Sequence, residues 1–284
     1  MWNSSTRDIS FKRRGMHAWL ACALAAAIAT AGFSACAVPP VVNVPQAQAN
    51  SLAFALADRD QRLDSLQTPA VMEYSGANGH FKAREQVVVR RPASLRVEAM
   101  SPLGVALVVT AEGGQVAVFD PSKNTLARGA ATAATLDRFA RIPMAPQQAV
   151  RLLLGLAPDS AMLGFAPSGS NDVGDMKVLT YGRPDGTTDE LGFSDRHLVL
   201  VRNKLPGGET GYEVRYSDYR DIGGIEFPYQ VEASFPAAGT TIKLRYERPI
   251  VDGQIDDSLF VLSPGPGTRQ LNLGEPGAAA AARG

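Results

Sequence analysis

Hydrophobic positions along this chain follow two different periods. In Ser51–Leu66, Leu52, Phe54, Ala55, Leu56, Leu63 and Leu66 lie opposite Asp58, Arg59, Asp60, Arg62 and Asp64. That spacing predicts an amphipathic helix, closed by Pro69. The period then drops to two. Phe81, Ala83, Val87 and Val89 alternate with Lys82, Arg84, Gln86 and Arg90, and Leu95, Val97 and Ala99 alternate with Arg96 and Glu98. Val105–Thr110 and Gln115–Phe119 are shorter apolar runs joined at Gly113-Gly114. Each reads as a half-buried antiparallel strand.

Helical signals return between Thr132 and Leu156. Thr132 can cap Ala133–Phe139, and Pro146 suits a first helical position. Val150, Leu153 and Leu154 fall on one face before Gly155 and Pro158 end the second helix. Strand patterns resume at 177–181, 198–202, 211–219, 228–235 and 241–247, with hairpin-turn residues at Arg183–Gly186 and Pro206–Gly208. The predicted fold is mainly antiparallel β in an α+β arrangement. One large sheet curls into an incomplete barrel, with a helical lid over its apolar concave face.

The ends of the chain have other compositions. Lys12-Arg13-Arg14 precedes an apolar run from Ala18 to Phe33, and Ser34-Ala35-Cys36 follows. A basic stretch, a short apolar core and small residues describe a secretory signal. The run is shorter than the ~20 residues of a spanning helix. Small residues directly before a cysteine resemble a bacterial lipobox, although Phe33 stands where leucine is usual. On this reading residues 1–35 are a lipoprotein signal peptide and Cys36 carries the lipid. Residues 36–50 form a flexible tether, 51–263 the folded domain, and the Gly-, Pro- and Ala-rich 264–284 a disordered tail. Ala37 follows the cysteine where inner-membrane lipoproteins often carry aspartate. By resemblance to that sorting rule, the expected location is the outer membrane, lipid-anchored and facing the periplasm.

Charge and chemistry narrow the function. The whole chain holds 28 basic and 28 acidic residues. Losing Arg7, Lys12, Arg13, Arg14 and Asp8 with the signal leaves a slightly acidic domain, which argues against nucleic-acid binding. The cysteines are Cys22 and Cys36, so no disulfide framework is expected after cleavage. His80 and His197 sit beside turn residues, away from metal-ligand spacing. Asp256-Asp257 and Asp218/Asp221 read as capping or solvated carboxylates rather than an acid/base pair. No nucleophile elbow or phosphate-cradling loop is present. The chain reads as a non-enzyme that needs no cofactor and no metal.

Ser101-Pro102-Leu103-Gly104 joins two predicted strands. Proline and glycine are turn residues, but nothing about a turn requires a large apolar residue between them. Leu103 is either a hydrophobic tip offered to a bilayer or acyl chain, or the buried start of the next strand.

From Asp58 to Leu262 the chain resembles the LolB outer-membrane lipoprotein receptors and, more loosely, the periplasmic carrier LolA. The likeness rests on the helix before the first strand, the strand–Ser101-Pro102-Leu103-Gly104–strand segment, Arg141-Ile142-Pro143, and Leu152-Leu153-Leu154-Gly155-Leu156-Ala157-Pro158. Tyr216-Ser217-Asp218-Tyr219, Gly223-Gly224-Ile225-Glu226-Phe227-Pro228 and Asp257-Ser258-Leu259-Phe260 are more LolA-like. Leu152 stands where the family carries tryptophan. The resemblance implies that Pro102, Leu103 and Gly104 form a membrane-insertion loop. It also implies an acyl-chain cavity, for which the inward sets Leu95/Val97, Val105/Leu107/Val109, Tyr212/Val214/Tyr216 and Ile242/Leu244/Tyr246 are the candidates. The implied partners are acyl chains of lipoproteins or other lipids, a LolA-like periplasmic carrier and the inner leaflet of the outer membrane. A regulatory or scaffold lipoprotein on the same fold, like the RseB sensors, is the alternative.

Overall fold

The computed structural model describes residues 43–273, apart from positions 78, 141, 142 and 160. Cys36, the 1–35 segment, the start of the tether and residues 274–284 lie outside the described residues. Helix α1 spans Gln46–Arg62 and buries Ala49, Leu52, Leu56 and Asp60 along one stripe. It starts five residues earlier than its sequence pattern predicts, inside the expected tether, and Val44 before it is already buried. It also ends sooner. Leu63 is extended, and the backbone amides of Asp64 and Ser65 donate to Asp252 Oδ1 at 2.6 and 3.1 Å. Leu63 and Leu66 are therefore buried as extended and strand residues, not on a helix face.

Six antiparallel strands follow: β1 (Ser65–Gly76), β2 (Gly79–Arg90), β3 (Ser94–Ser101), β4 (Gly104–Glu112), β5 (Gln115–Asp120) and β6 (Thr125–Ala130). Pro69 lies inside β1 rather than closing a helix. On one side β1 pairs with a short strand up to Gln67 and with another from Ala70, so Pro69 falls in the gap between those ladders. Its missing N–H is not needed there. Helices α2 (Ala133–Ala140) and α3 (Pro146–Leu153) come next. Thr132 Oγ1 accepts the Thr135 amide at 3.2 Å as the cap of α2, and Pro146 opens α3.

The second series comprises β7 (Gly169–Val173), β8 (Met176–Gly182), β9 (Thr188–Ser194), β10 (His197–Lys204), β11 (Thr210–Ile222), β12 (Ile225–Phe235) and β13 (Thr240–Tyr246). The pair β14 (Ile250–Val251) and β15 (Arg269–Asn272) completes it. All belong to one sheet, ordered β15-β6-β5-β4-β3-β2-β1-β13-β12-β11-β10-β9-β8-β7, with β14 beside β1. Laid flat, that path would be about 60 Å wide at ~4.8 Å per strand. Yet Val118 on β5 and Leu179 on β8 share one hydrophobic core with α1 and α3. The sheet must curl around its helices, and it is an open curled sheet as the pattern predicts.

A short segment meets each end of this strand path. Residues 269–272 were expected in the disordered tail; they pair in parallel with β6, and Leu273 is buried. At the far edge the Val44 amide donates to the Ser170 carbonyl of β7 at 3.4 Å.

Candidate functional site

The concave face is built from alternate residues of neighbouring strands, and α3 lies across it. Helix α3 ends where Gly155 takes φ +68°, a left-handed conformation that favours glycine. A Cβ there would also sit 2.9 Å from Pro228. Two sheet tyrosines hold the helix end down. Tyr216 donates its hydroxyl to the Leu152 carbonyl at 2.9 Å, and Tyr246 donates to the Leu153 carbonyl at 3.0 Å. These bonds satisfy carbonyls that a helix C-terminus otherwise leaves open. Burial raises the pKa of both phenols, so the hydroxyls stay protonated. The other side of α3 is anchored by its buried Arg151, which bonds Asp60 of α1 and donates to the Ala157 carbonyl at 2.7 Å.

Between α3 and the sheet lies an apolar cavity of about 60 Å³. Its wall on the helix side is Ala149, Leu152 and Leu153 of α3 with Met144 just ahead of it; its sheet wall is Val214, Val231, Ala233, Phe235, Ile242 and Leu244. Small-molecule pockets usually measure about 300–1,000 Å³. This cavity therefore has room for a methyl-sized group, and an acyl chain would enter only as α3 lifts from the strands.

Of the expected cavity residues, Val214, Ile242 and Leu244 line this space. Leu95, Val109, Tyr212, Tyr216 and Tyr246 are buried in the common core, and Val97 and Leu107 pack against it half-buried. Val105 is a correction. A register shift between Ala99 and Met100 pairs Ala99 with Leu107 but Met100 with Val105. The bulge removes Val105 from the inward alternation and leaves it 37% exposed. Sequence patterning missed the helical wall and the β12 set Val231/Ala233/Phe235, although the latter alternates with period two.

Leu103 stands at the tip of the β3–β4 hairpin and is 101% exposed, beside exposed Met100 and Val105. Gly104 has φ +115°, and Ser101 braces the turn by accepting the Leu103 amide at 3.2 Å and donating to the Gly104 carbonyl at 3.0 Å. Of the two readings of Leu103, the buried strand residue is thus excluded.

The same face carries a carboxyl. Glu85 follows the inward phase of Val87 and Val89 on β2, with Ala70 and Ala99 as its cross-strand partners. It is 8% exposed, and burial pushes its pKa from 4.5 up to about 7. The other candidate chemistry is conventional. His197 stacks on Tyr219 at 4.4 Å and lies 3.6 Å from Glu226. They belong to an open groove of about 410 Å³ beside α1. Asp256 caps the Ser258 amide, Asp257 pairs with Arg90, Asp218 with Arg220, and Asp221 accepts the Gly224 amide. Among the described residues, no three His, Cys, Asp or Glu side chains gather as a metal site, and no helix is long and apolar enough to cross a membrane.

No protein-family model and no curated protein matches the chain. Solved structures do. A DUF1329 family protein from Desulfovibrio piger aligns with 76% of this chain and 97% of its own, at 13% identity and a TM-score of 0.52. A LolA superfamily protein from Nitrosomonas europaea covers 75% and 97%, at 14% identity and a TM-score of 0.49. A domain described as an outer membrane lipoprotein-sorting protein, from Vibrio parahaemolyticus, covers 75% and 97% at 8% identity and 0.49. At these identities the likeness concerns the fold alone: an open curled sheet with few helices.

Proposed function

We propose that this chain is an outer-membrane lipoprotein, anchored through Cys36, that binds acyl chains between α3 and the concave face. It takes part in moving lipoproteins into the inner leaflet of the outer membrane, receiving them from a LolA-like periplasmic carrier. The observation that carries the reading is the apolar cavity beneath a helix held to the sheet at its C-terminal end. Acyl chains gain by leaving water at ~25 cal/mol per Å², so binding needs neither nucleotide nor covalent chemistry. Exposed Leu103 supports the delivery half, since an apolar tip on a braced turn can enter a bilayer.

Native mass spectrometry of the chain from Ala37 onward tests it, because residues 43–273 build one continuous core. Co-purified lipid, or uptake of a fluorescent fatty-acyl probe, is the expected result. A protein that is lipid-free and also refuses the probe would refute the proposal.

A further inference from the structure

Among the described residues, Glu85 is a buried acidic side chain of the concave face that finds no partner. Asp60 and Asp189, the other buried acidic residues among the described ones, have cations or donors. Asp60 faces Arg151 and Arg91, while Asp189 faces Arg183 and accepts Asn203 Nδ2 at 2.9 Å. Glu85 is buried to the same degree, yet no described residue donates a hydrogen bond to it or forms an ion pair with it. Its neighbours on the adjoining strands are Ala70 and Ala99, and Ala83 precedes it in the same phase. Three alanines offer neither donor nor bulk. An isolated carboxylate in such surroundings is strongly disfavoured.

Its position relative to the cavity is set by the ladder. Ala70 joins Glu85 on one side to Tyr246 of β13 on the other, and the next row runs Ala83–Met72–Leu244. Leu244 lines the cavity. Two strand spacings and a two-residue step along the strands, about 12 Å in all, therefore separate the Glu85 and Leu244 positions along one face. That is a reach a short alkyl segment can span.

We propose that Glu85 is the head-group subsite of the acyl-binding face, and that its ligand is an amphiphile with a primary ammonium at the root of its chains. The carboxylate would accept hydrogen bonds from the ammonium, which supplies the missing countercharge, while the chains run toward the space under α3. A fatty acid would set one carboxylate against another and is the disfavoured ligand. The inference rests on the acyl-binding reading and adds the class of head group. An amino-headed lipid such as an ethanolamine phospholipid and the free N-terminal amine of a lipidated peptide share this chemistry.

The test is displacement of a hydrophobic dye from the chain beginning at Ala37, by dodecylamine and by dodecanoate, for the parent protein and Glu85→Gln. Expected is a preference for the amine of about tenfold or more in the parent, lost in the variant. Glu85→Leu, which removes the polar group altogether, repeats the comparison if Glu85→Gln folds poorly by circular dichroism. Equal binding of both amphiphiles by the parent, or a preference that persists without the carboxylate, overturns this inference alone. Failure of both amphiphiles to displace the dye overturns it together with the acyl-binding reading. Lysophosphatidylethanolamine and a diacylated lipopeptide with a free α-amine then separate the two sources. The one whose binding weakens in Glu85→Gln identifies the natural head group, and equal binding of each ligand by the parent protein and Glu85→Gln overturns the assignment.

Discussion

Replacing Glu85 by glutamine makes a sharp prediction about stability against pH. The folded-state pKa is raised, from 4.5 to about 7, because burial penalises the charged form. A raised carboxyl favours the fold while protonated in both states, below about pH 4.5. As pH climbs from there to about 7 the unfolded chain ionises freely and the folded one resists, so stability falls. Above about pH 7 the loss is complete. At 1.36 kcal/mol per pH unit, the difference between the two pKa values amounts to about 3 kcal/mol. Only 8% of the residue is exposed, so solvent screening removes little of that. Glu85→Gln keeps the shape and deletes the titration. Urea unfolding of both proteins between about pH 4.5 and 8.5 should show the parent losing about 3 kcal/mol relative to the variant. At 2–4 °C per kcal/mol this is a gap of about 6–12 °C in Tm at alkaline pH. Comparing the proteins at each pH cancels every other titrating group. Parallel stability curves would refute the reasoning, because they would mean that Glu85 is solvated or neutralised in the fold.

Leu103→Glu should leave Tm nearly unchanged, since a surface substitution usually falls within about ±0.5 kcal/mol. It should abolish transfer of an acylated cargo into vesicles while binding persists, because a carboxylate resists hydrocarbon; a large drop in Tm would contradict the exposed tip. Tyr246→Phe removes the donor from the Leu153 carbonyl and should destabilise the protein by about 1–3 kcal/mol in urea unfolding. An unchanged midpoint would mean that water takes over this cap. Cys36→Ser should eliminate metabolic labelling with an alkyne analogue of palmitate; retained label would place the lipid on another residue.

The parts of this fold legible in the sequence are those whose causes are local. Helix α3 could be read at both ends because Pro146 and Gly155 are chosen by backbone geometry within one turn. Strand β1 was hidden because Pro69 looks like a stop until the gap between β13 and β14 shows that its N–H has no ladder to join. The cavity was half legible. Alternation assigns strand faces correctly for Val214 and Ile242, but a bulge resets it at Val105, and no periodicity says which residues of a helix meet which strands. Glu85 left a visible trace: the inward series Phe81, Ala83, Val87, Val89 skips one place, and a charge occupies it. Only three-dimensional packing shows that this residue is buried to 8% exposure beside Ala70 and Ala99.

The borders of the sheet would matter to a molecule held at a surface, as the proposed lipid anchor would hold this one. A lipid anchor would confine many copies to a plane, where collisions between neighbours are frequent and orientations are restricted. An unpaired β6 would then be a template on which one copy could zip onto the next. The last described strand, Arg269–Asn272, occupies that template, and the stretch at Val44 guards the opposite border. The first and last described segments thus hem the sheet. A version cut at residue 263, where composition alone would draw the domain limit, loses the β15 hem together with the buried Leu273, and self-association is the failure to expect of it.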